Sequence, residues 1–514
     1  MSISLRGRLL AAVFSVSVGF GAAAPAGAET LADAIALAYE TNPTLQAARA
    51  SQRALDENYV QARSGWRPTL SLGAGWAYSE NATPDVVARA LGAVDRNGDG
   101  VIDGRGRVDT ANSRATLNLT QPLWTGGRVA ASVSAAHAEV LAGHENLRRI
   151  EAQVLTNVIQ FYVDVRRDQE AVRIREANVQ VLGRQVEETQ ARFDVGEITR
   201  TDVAQSQSRL AAARSLLQST QSQLAISRAA YATVVGQNPG ELAPEPSLAH
   251  LLPSDPDQAF DLAEKFNPQL RAQKFTEIAS RARLAGARAD RMPNVTAQAT
   301  LDFRNQVREE VWEREFYTRG SSLGVNVTVP LFNGGLTSSR IRAAADRNTA
   351  DRIGIEGVRR SVMQGVTQFW SSLLAARSNI ASSDEQVRAA TIAATGTREE
   401  QQVGLRTTID VLNAEQELRA AELSQVSARR DEYVAATNVL ALMGRLEGRN
   451  LVPAIPQYDA ARHFRNLRIT WGWVPWEEPI AIIDHVLTPF PAPNPGEMPG
   501  ESPIPPGLTP PPAR

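Results

Sequence analysis

Cysteine is absent from the 514-residue sequence, which excludes disulfides, thiolate chemistry, thiolate metal sites and a lipidated cysteine anchor. Lysine is nearly absent. Lys265 and Lys274 are the only lysines among 54 Lys and Arg residues, and neither follows a glycine-rich loop, so no phosphate-binding P-loop exists. The five histidines, His137, His144, His250, His463 and His485, never form a close pair on one helix face, which leaves little for zinc hydrolysis or a Ser-His-Asp triad. A net charge of -2 argues against a nucleic-acid-binding surface. Beyond the N-terminus no stretch reaches the ~18 consecutive apolar residues of a membrane helix. These absences lean away from an enzyme.

Arg6 and Arg8 precede an apolar run from Leu9 to Ala24, and Ala26-Gly27-Ala28 offers a small-residue cleavage site. Residues 1–28 therefore read as a secretory signal peptide, with the mature chain starting at Glu29.

The remainder is written twice. At an offset of 208 residues, Pro122-Leu123-Trp124 and Gly126-Gly127 fall on Pro330-Leu331-Phe332 and Gly334-Gly335. Phe161 falls on Phe369, Val195-Gly196 on Val403-Gly404, Asp202-Val203 on Asp410-Val411, and Gly236 on Gly444. Upstream, Asn42-Pro43 matches Asn267-Pro268 at an offset of 225, so the first copy carries a 17-residue insert between Pro68 and Pro122. A unit this long is a duplicated structural half rather than a solenoid repeat. The expected organisation is a first repeat over 29–240, a linker over 241–256, a second repeat over 257–445, and a C-terminal segment over 446–514 ending in a Pro-rich extended tail.

Each copy is helical for long stretches. Val158, Val165, Val172, Val179, Val186 and Phe193 recur every seven residues, as do Val203, Leu210, Leu217, Leu224 and Tyr231. The second copy continues with Val366, Leu373, Ile380, Val387 and Ala394, then lapses at Gln425. A sustained seven-residue period predicts coiled-coil packing with left-handed supercoiling. Arg128 to Asp194 and Leu336 to Gln402 are each one long helix, about 100 Å at ~1.5 Å per residue. Leu31–Ser64, Asp202–Val235, Asp257–Asp290 and Asp410–Met443 are helices of roughly half that length, to be stacked in pairs beside the long ones.

Four short stretches alternate with period two: Leu70 to Tyr78, Leu117 to Leu119, Val295 to Phe303, and Leu323 to Leu331. Alternation and length suit transmembrane β-strands, apolar to lipid and polar to a lumen, although a soluble sheet with one wet face alternates likewise. Trp66, Trp76, Tyr78, Trp124, Phe303 and Phe332 lie near the strand ends, where an aromatic girdle sits. Backbone groups in lipid must all be paired, so four strands cannot close alone. Two chains would supply 8 strands and three would supply 12, against a minimum of ~8 for an outer-membrane barrel.

The two-fold repeat, the Asn-Pro pairs, the Pro-Leu-aromatic-x-Gly-Gly strand exits and the turns Val195-Gly196-Glu197-Ile198-Thr199-Arg200-Thr201-Asp202-Val203 and Val403-Gly404-Leu405-Arg406-Thr407-Thr408-Ile409-Asp410-Val411 together resemble the TolC family of outer-membrane export ducts. The similarity spans about residues 30 to 445. It implies an α+β fold: a trimeric 12-stranded outer-membrane β-barrel, four strands per chain, continued by a long coiled-coil α-helical barrel in the periplasm. It also implies an exit duct that passes substrates from an inner-membrane ABC or RND-type pump and a periplasmic adaptor to the outside. Type I protein secretion is the leading reading and multidrug or small-molecule efflux the alternative. The rival of another class, a trimeric coiled-coil surface adhesin, would place one contiguous anchor at the C-terminus, whereas these strands are split between two internal repeats.

By the same resemblance, Thr201, Asp202 and Arg406 map to links that hold the periplasmic mouth shut, and Asp410 to a constricting aspartate. Asn413 replaces a second constricting carboxylate, and Gln401 a linking tyrosine. An acidic ring at a constriction favours cations. Asp202 and Asp410 are also well placed as helix N-caps. Val195, Gly196, Val403 and Gly404 are candidate adaptor contacts. Within the insert, Asp95, Asn97, Asp99 and Asp103, with Gly100 at the sixth place, fit the first nine positions of an EF-hand loop, but Gly106 stands where the bidentate Glu belongs. Weak calcium binding in the 95–109 loop is an expectation beside the plainer reading of a polar turn. A Trp cluster, Trp471, Trp473 and Trp476, either packs on the tunnel wall or meets a partner.

Overall fold

A computed structural model describes residues 28–82, 107–308, 318–467, 469–491 and 493. The first repeat runs α1 (Leu31–Thr41), α2 (Pro43–Arg63), β1 (Thr69–Ala82), β2 (Arg107–Trp124), α3 (Arg128–Asp194) and α4 (Arg200–Val235). The second runs α5 (Pro256–Phe266), α6 (Pro268–Ala289), β3 (Asn294–Arg308), β4 (Thr318–Thr328), α7 (Leu336–Gln402) and α8 (Thr408–Leu442). Three short helices follow: α9 (Gly448–Leu451), α10 (Ala460–Asn466) and α11 (Glu477–Val486).

The long helices α3 and α7 have the expected bounds and 67 residues each. The leading half-length helices do not stay whole, because each breaks at its Asn-Pro pair. Proline lacks an N–H and drives the preceding residue out of the α region, and Asn42 accordingly sits at φ -61°, ψ 121°. Asn42 turns the break into a joint. Its Oδ1 accepts from Thr44 N (3.0 Å) and Leu45 N (3.2 Å) to cap α2, while its Nδ2 donates to Val234 O (2.9 Å) at the end of α4. Asn267 repeats this with Gln269 N, Leu270 N and, at 2.8 Å, Leu442 O. The end of one half-length helix is thereby satisfied by the cap of the next, and the pair stacks along a long helix. Gly444 makes the second joint possible: its φ is +67°, and a Cβ there would lie 2.2 Å from Phe266 O.

The joints lie in the main core. Leu155, Ile159 and Tyr162 of α3 meet Ile35 and Tyr39 of α1, Tyr231 of α4, Leu373 of α7 and Leu440 of α8 there. Above it, Ala138 and Ala142 pack on Phe275 and Ile278 of α6. Below it, Leu182 packs on Leu210 and Ala213. Where the heptad lapses, the seam becomes polar, and Gln425 donates to Asp384 Oδ1 at 2.7 Å.

The strands form an antiparallel meander ordered β1-β2-β3-β4. Register places Leu70, Leu119, Ala299 and Leu323 in one row, and Leu72, Leu117 and Leu301 in the next, all on one face. The other face carries Asn118, Thr300 and Gln298, and a cluster in which Asp302 accepts from Arg114 Nε (2.7 Å), Thr116 Oγ1 (3.1 Å) and Arg304 Nε (2.8 Å). That ionic cluster is invisible to period-two reading, which sees only alternation. Leu323 is 84 % exposed and Leu72 73 %. The fourth strand stops at Thr328 rather than at Leu331, since Pro330 cannot donate to a ladder. Pro122 is accommodated in β2 at a register shift beside Trp124. Among the described residues, the outer sides of β1 and β4 have no partner strand.

The segment after Leu451 returns along the first repeat. Phe464 of α10 stacks on His137 (5.2 Å between centroids) and meets Tyr59 (4.9 Å), and His463 Nδ1 lies 3.0 Å from Asp56 Oδ2. Ser134 Oγ of α3 donates to Pro493 O, which ties that proline to the start of the long helix. Most of the Pro-rich tail lies outside the described residues.

Candidate functional site

The turns that join α3 to α4 and α7 to α8 end the rods at the pole opposite the sheet. Each is built the same way. Gly196 and Gly404 take φ of +81° and +82°, and Glu197 N and Leu405 N reach back to Arg192 O and Glu400 O at 2.9 Å, which closes a helix C-terminus. A capping box then opens the next helix. Thr199 N and Oγ1 donate to Asp202 Oδ2 at 3.0 and 2.8 Å, and Thr407 N and Oγ1 donate to Asp410 Oδ2 at 3.0 and 2.7 Å. Both aspartates are thus N3 residues of capping boxes, and the N-caps are Thr199 and Thr407. The expectation that the aspartates themselves cap is corrected by three residues, since a Thr hydroxyl at the extended residue before the helix reaches the N3 amide and the N3 carboxylate reaches back.

The hydrogen bonds from Thr407 hold the Asp410 carboxyl below its ordinary value, with a smaller contribution from Arg406. Arg406 itself donates through Nε to Glu400 Oε2 at 2.8 Å, a staple across its own turn, and that hydrogen bond raises its pKa. Thr201 is exposed. Val195, Val403 and Leu405 project into solvent at 72, 71 and 76 % exposure, so each turn presents an apolar tip.

Asn413 is drawn into a link that no motif announces. Arg209 Nη2 donates to Asn413 Oδ1 at 3.1 Å and its Nη1 to Gln416 Oε1, which bridges α4 to α8 just behind the turns. Beneath this bridge Leu412 is buried against Leu182, Leu210 and Ala213, with Ile409 at the margin. Glu415, also buried, receives Arg398 of α7 and Arg419 of its own helix. Gln401 is buried in the last turn of α7. The turn end of the chain is therefore a polar strap over a small apolar cluster, joining the two repeats. A lone arginine on a solvated helix carries no motif, so Arg209 could not be singled out beforehand. The calcium-loop residues Asp95, Asn97, Asp99 and Asp103 lie outside the described residues.

The model of the family described as outer membrane efflux protein matches residues 34–237 and 259–445. The chain belongs to this family. It is 31% identical over 443 residues to outer membrane efflux protein BepC of Brucella suis biovar 1, covering 86% of this chain and 91% of that one. To alkaline protease secretion protein AprF of Pseudomonas aeruginosa it is 24% identical over 411 residues, covering 79% and 82%. Its fold is shared with the solved Campylobacter jejuni CmeC outer membrane channel, with a TM-score of 0.69 at 13% identity, over 85% of this chain and 89% of that chain. The protein is an outer-membrane channel of TolC-like α+β fold, with its helical rods extending into the periplasm, and the family's members are ducts for efflux and export. The apolar face of the sheet accordingly meets lipid.

Proposed function

We propose that three copies of this chain assemble into the exit duct of a tripartite export system. Twelve strands close the barrel, the rods continue it as a tunnel, and the turns dock a periplasmic adaptor that joins an inner-membrane ABC or RND-type pump. The observation that carries this reading is the pair of open sheet edges. In lipid each unpaired backbone group costs several kcal/mol, and an 11-residue edge such as β4 presents roughly five N–H groups, so the cost reaches tens of kcal/mol. Pairing β4 of one copy with β1 of the next removes that cost, and the antiparallel meander gives both edges the right direction.

The gate in this reading consists of Arg406, Thr201, Asp202, Asp410 and Asn413, with the Arg209 strap as its intrachain part. Three half-buried Asp410 carboxylates around one axis form the acidic ring, and widening the mouth requires α8 to leave α4. The exposed tips Val195, Val403 and Leu405, with Gly196 and Gly404, suit an apolar adaptor surface. Protein is the cargo we assign, as the name of the protease-secretion relative suggests. Small-molecule efflux is the second reading, favoured by the name of the 31%-identical relative. Weak calcium binding at Asp95, Asn97, Asp99 and Asp103 remains part of the proposal, to be read by calorimetry.

Deletion of the protein in its host tests the cargo. Loss of a secreted protein from the medium with unchanged drug tolerance supports secretion, whereas lost tolerance with intact secretion supports efflux. Planar-bilayer recording of the purified protein tests the duct, and absence of any conductance would overturn it.

A further inference from the structure

Helix α11 is inside out. Its residues at spacing i, i+3 and i+7, Glu477, Ile480 and Asp484, are buried, and two of the three are acids. Its opposite side carries exposed Ile482, Ile483 and Val486, continued by the C-cap Leu487, with exposed Glu478 and His485 along its flank. The buried acids hold this orientation firmly. Glu477 pairs with Arg63 Nη2 at 2.7 Å and Arg67 Nε at 2.8 Å. Asp484 accepts from Thr125 N (2.8 Å), Gly127 N (3.0 Å), Trp66 Nε1 (3.2 Å) and Ala130 N (3.3 Å). It thereby caps α3, whose own N-cap, Gly127, has no side chain to do so. Upstream, Ile469 and Trp471 are exposed, Trp471 completely, and Trp473 and Trp476 are partly so.

An aliphatic face held outward by buried charge is unfavourable in water. Its location says what covers it. Trp476 Nε1 donates to Gln121 Oε1 at 3.0 Å. Gln121 lies on the same face of β2 as Leu117 and Leu119, which is the lipid face, two residues beyond Leu119 in the row of Leu70 and at the helix end of the barrel. The apolar face of α11 and the three tryptophans thus continue the lipid-facing belt at its periplasmic rim, where Trp is favoured and where an amphipathic helix lies in the interface plane.

We propose that residues 469–487 form a membrane foot seated on the phospholipids of the periplasmic leaflet. Trp471, Trp473 and Trp476 occupy the headgroup level, and Ile482, Ile483, Val486 and Leu487 enter the acyl boundary. In a chain without cysteine the foot serves as a non-covalent anchor that also fixes the depth of the barrel, and through Asp484 it ties that depth to the start of the tunnel helix.

The absence of native cysteine makes the test clean. Full-length protein carrying one nitroxide-labelled cysteine, Ile482→Cys or Val486→Cys, is reconstituted in phosphatidylethanolamine–phosphatidylglycerol vesicles, and collision with oxygen and with a water-soluble nickel chelate is measured by EPR. The foot predicts several-fold higher accessibility to oxygen than to nickel, as for Leu72→Cys on the lipid face and opposite to Leu405→Cys at the turn. Nickel accessibility equal to that of Leu405→Cys overturns it in favour of a solvated helix. Low accessibility to both reagents overturns it in favour of a protein cover, either a second copy or the chain's own tail. If Leu72→Cys itself fails to report lipid, the barrel reading falls with the foot, so the two failures are distinguishable.

Discussion

At the scale of residues, the proposed gate puts two duties on one carboxylate. Asp410 closes a capping box and also contributes charge. Asn413 and Gln416, which receive Arg209, carry no charge of their own. Asp410→Asn keeps an oxygen for Thr407 and removes the charge, so it is expected to leave thermal unfolding nearly unchanged while lowering cation preference in bilayer recordings several-fold. An equal loss of stability and selectivity would mean that capping alone is at stake. The Asp410 pKa is depressed below its reference value of 3.8. A depressed carboxylate contributes stability above the unfolded-state pKa and loses it as pH falls through the folded-state pKa. Cation preference is therefore expected to survive titration down to about the reference value and to vanish only below it, as reversal potentials measured across a pH series would show. The turn motifs placed both aspartates at helix starts, but they could not tell N-cap from N3, because the two differ by which threonine bends the backbone.

At the scale of elements, helix length and heptad seams were legible because a 67-residue run without proline has few alternatives, whereas the joints were not. The Asn-Pro pairs marked breaks, yet nothing local said that the asparagine amide would donate to a carbonyl nearly two hundred residues away. Asn42→Ala removes both the cap and the bond to Val234 O and is expected to destabilise the rod by about 1–3 kcal/mol in chemical denaturation. Asn42→Asp keeps the cap acceptors and loses only the donor to Val234, so it should fall between the two. At the mouth, Leu412→Ala opens a cavity in the cluster with Leu182 and Leu210 and is expected to cost about 2–4 kcal/mol. Arg209→Ala removes only an exposed strap, so it should leave global stability almost untouched yet raise the frequency of open-channel events several-fold. A stability loss as large as that of Leu412→Ala would assign Arg209 to packing rather than to closure. The C-terminal segment was the least legible element. Its tryptophans and prolines suggested an extended arm, but the decisive partners of Glu477 and Asp484, Arg63, Arg67 and the start of α3, lie more than three hundred residues upstream.

At the scale of the whole molecule, the duct depends on closure of the sheet. Alternation of Leu70 to Tyr78 and of Val295 to Phe303 made the strands readable in the sequence, and the impossibility of open edges in lipid made self-association readable, but copy number is set by barrel curvature that no single chain states. Register supplies a direct probe. Ser71 of β1 and Ser322 of β4 lie in one row of the sheet through Asn118 and Thr300, on the polar face. In a chain with no native cysteine, Ser71→Cys with Ser322→Cys, joined in membranes by a bis-thiol linker shorter than the ~14 Å that three strand spacings put between them within one chain, connects neighbouring chains across the β4–β1 seam. The account predicts a single closed species of three chains on denaturing electrophoresis. Monomers only, a closed pair, or an open ladder beyond three would contradict it.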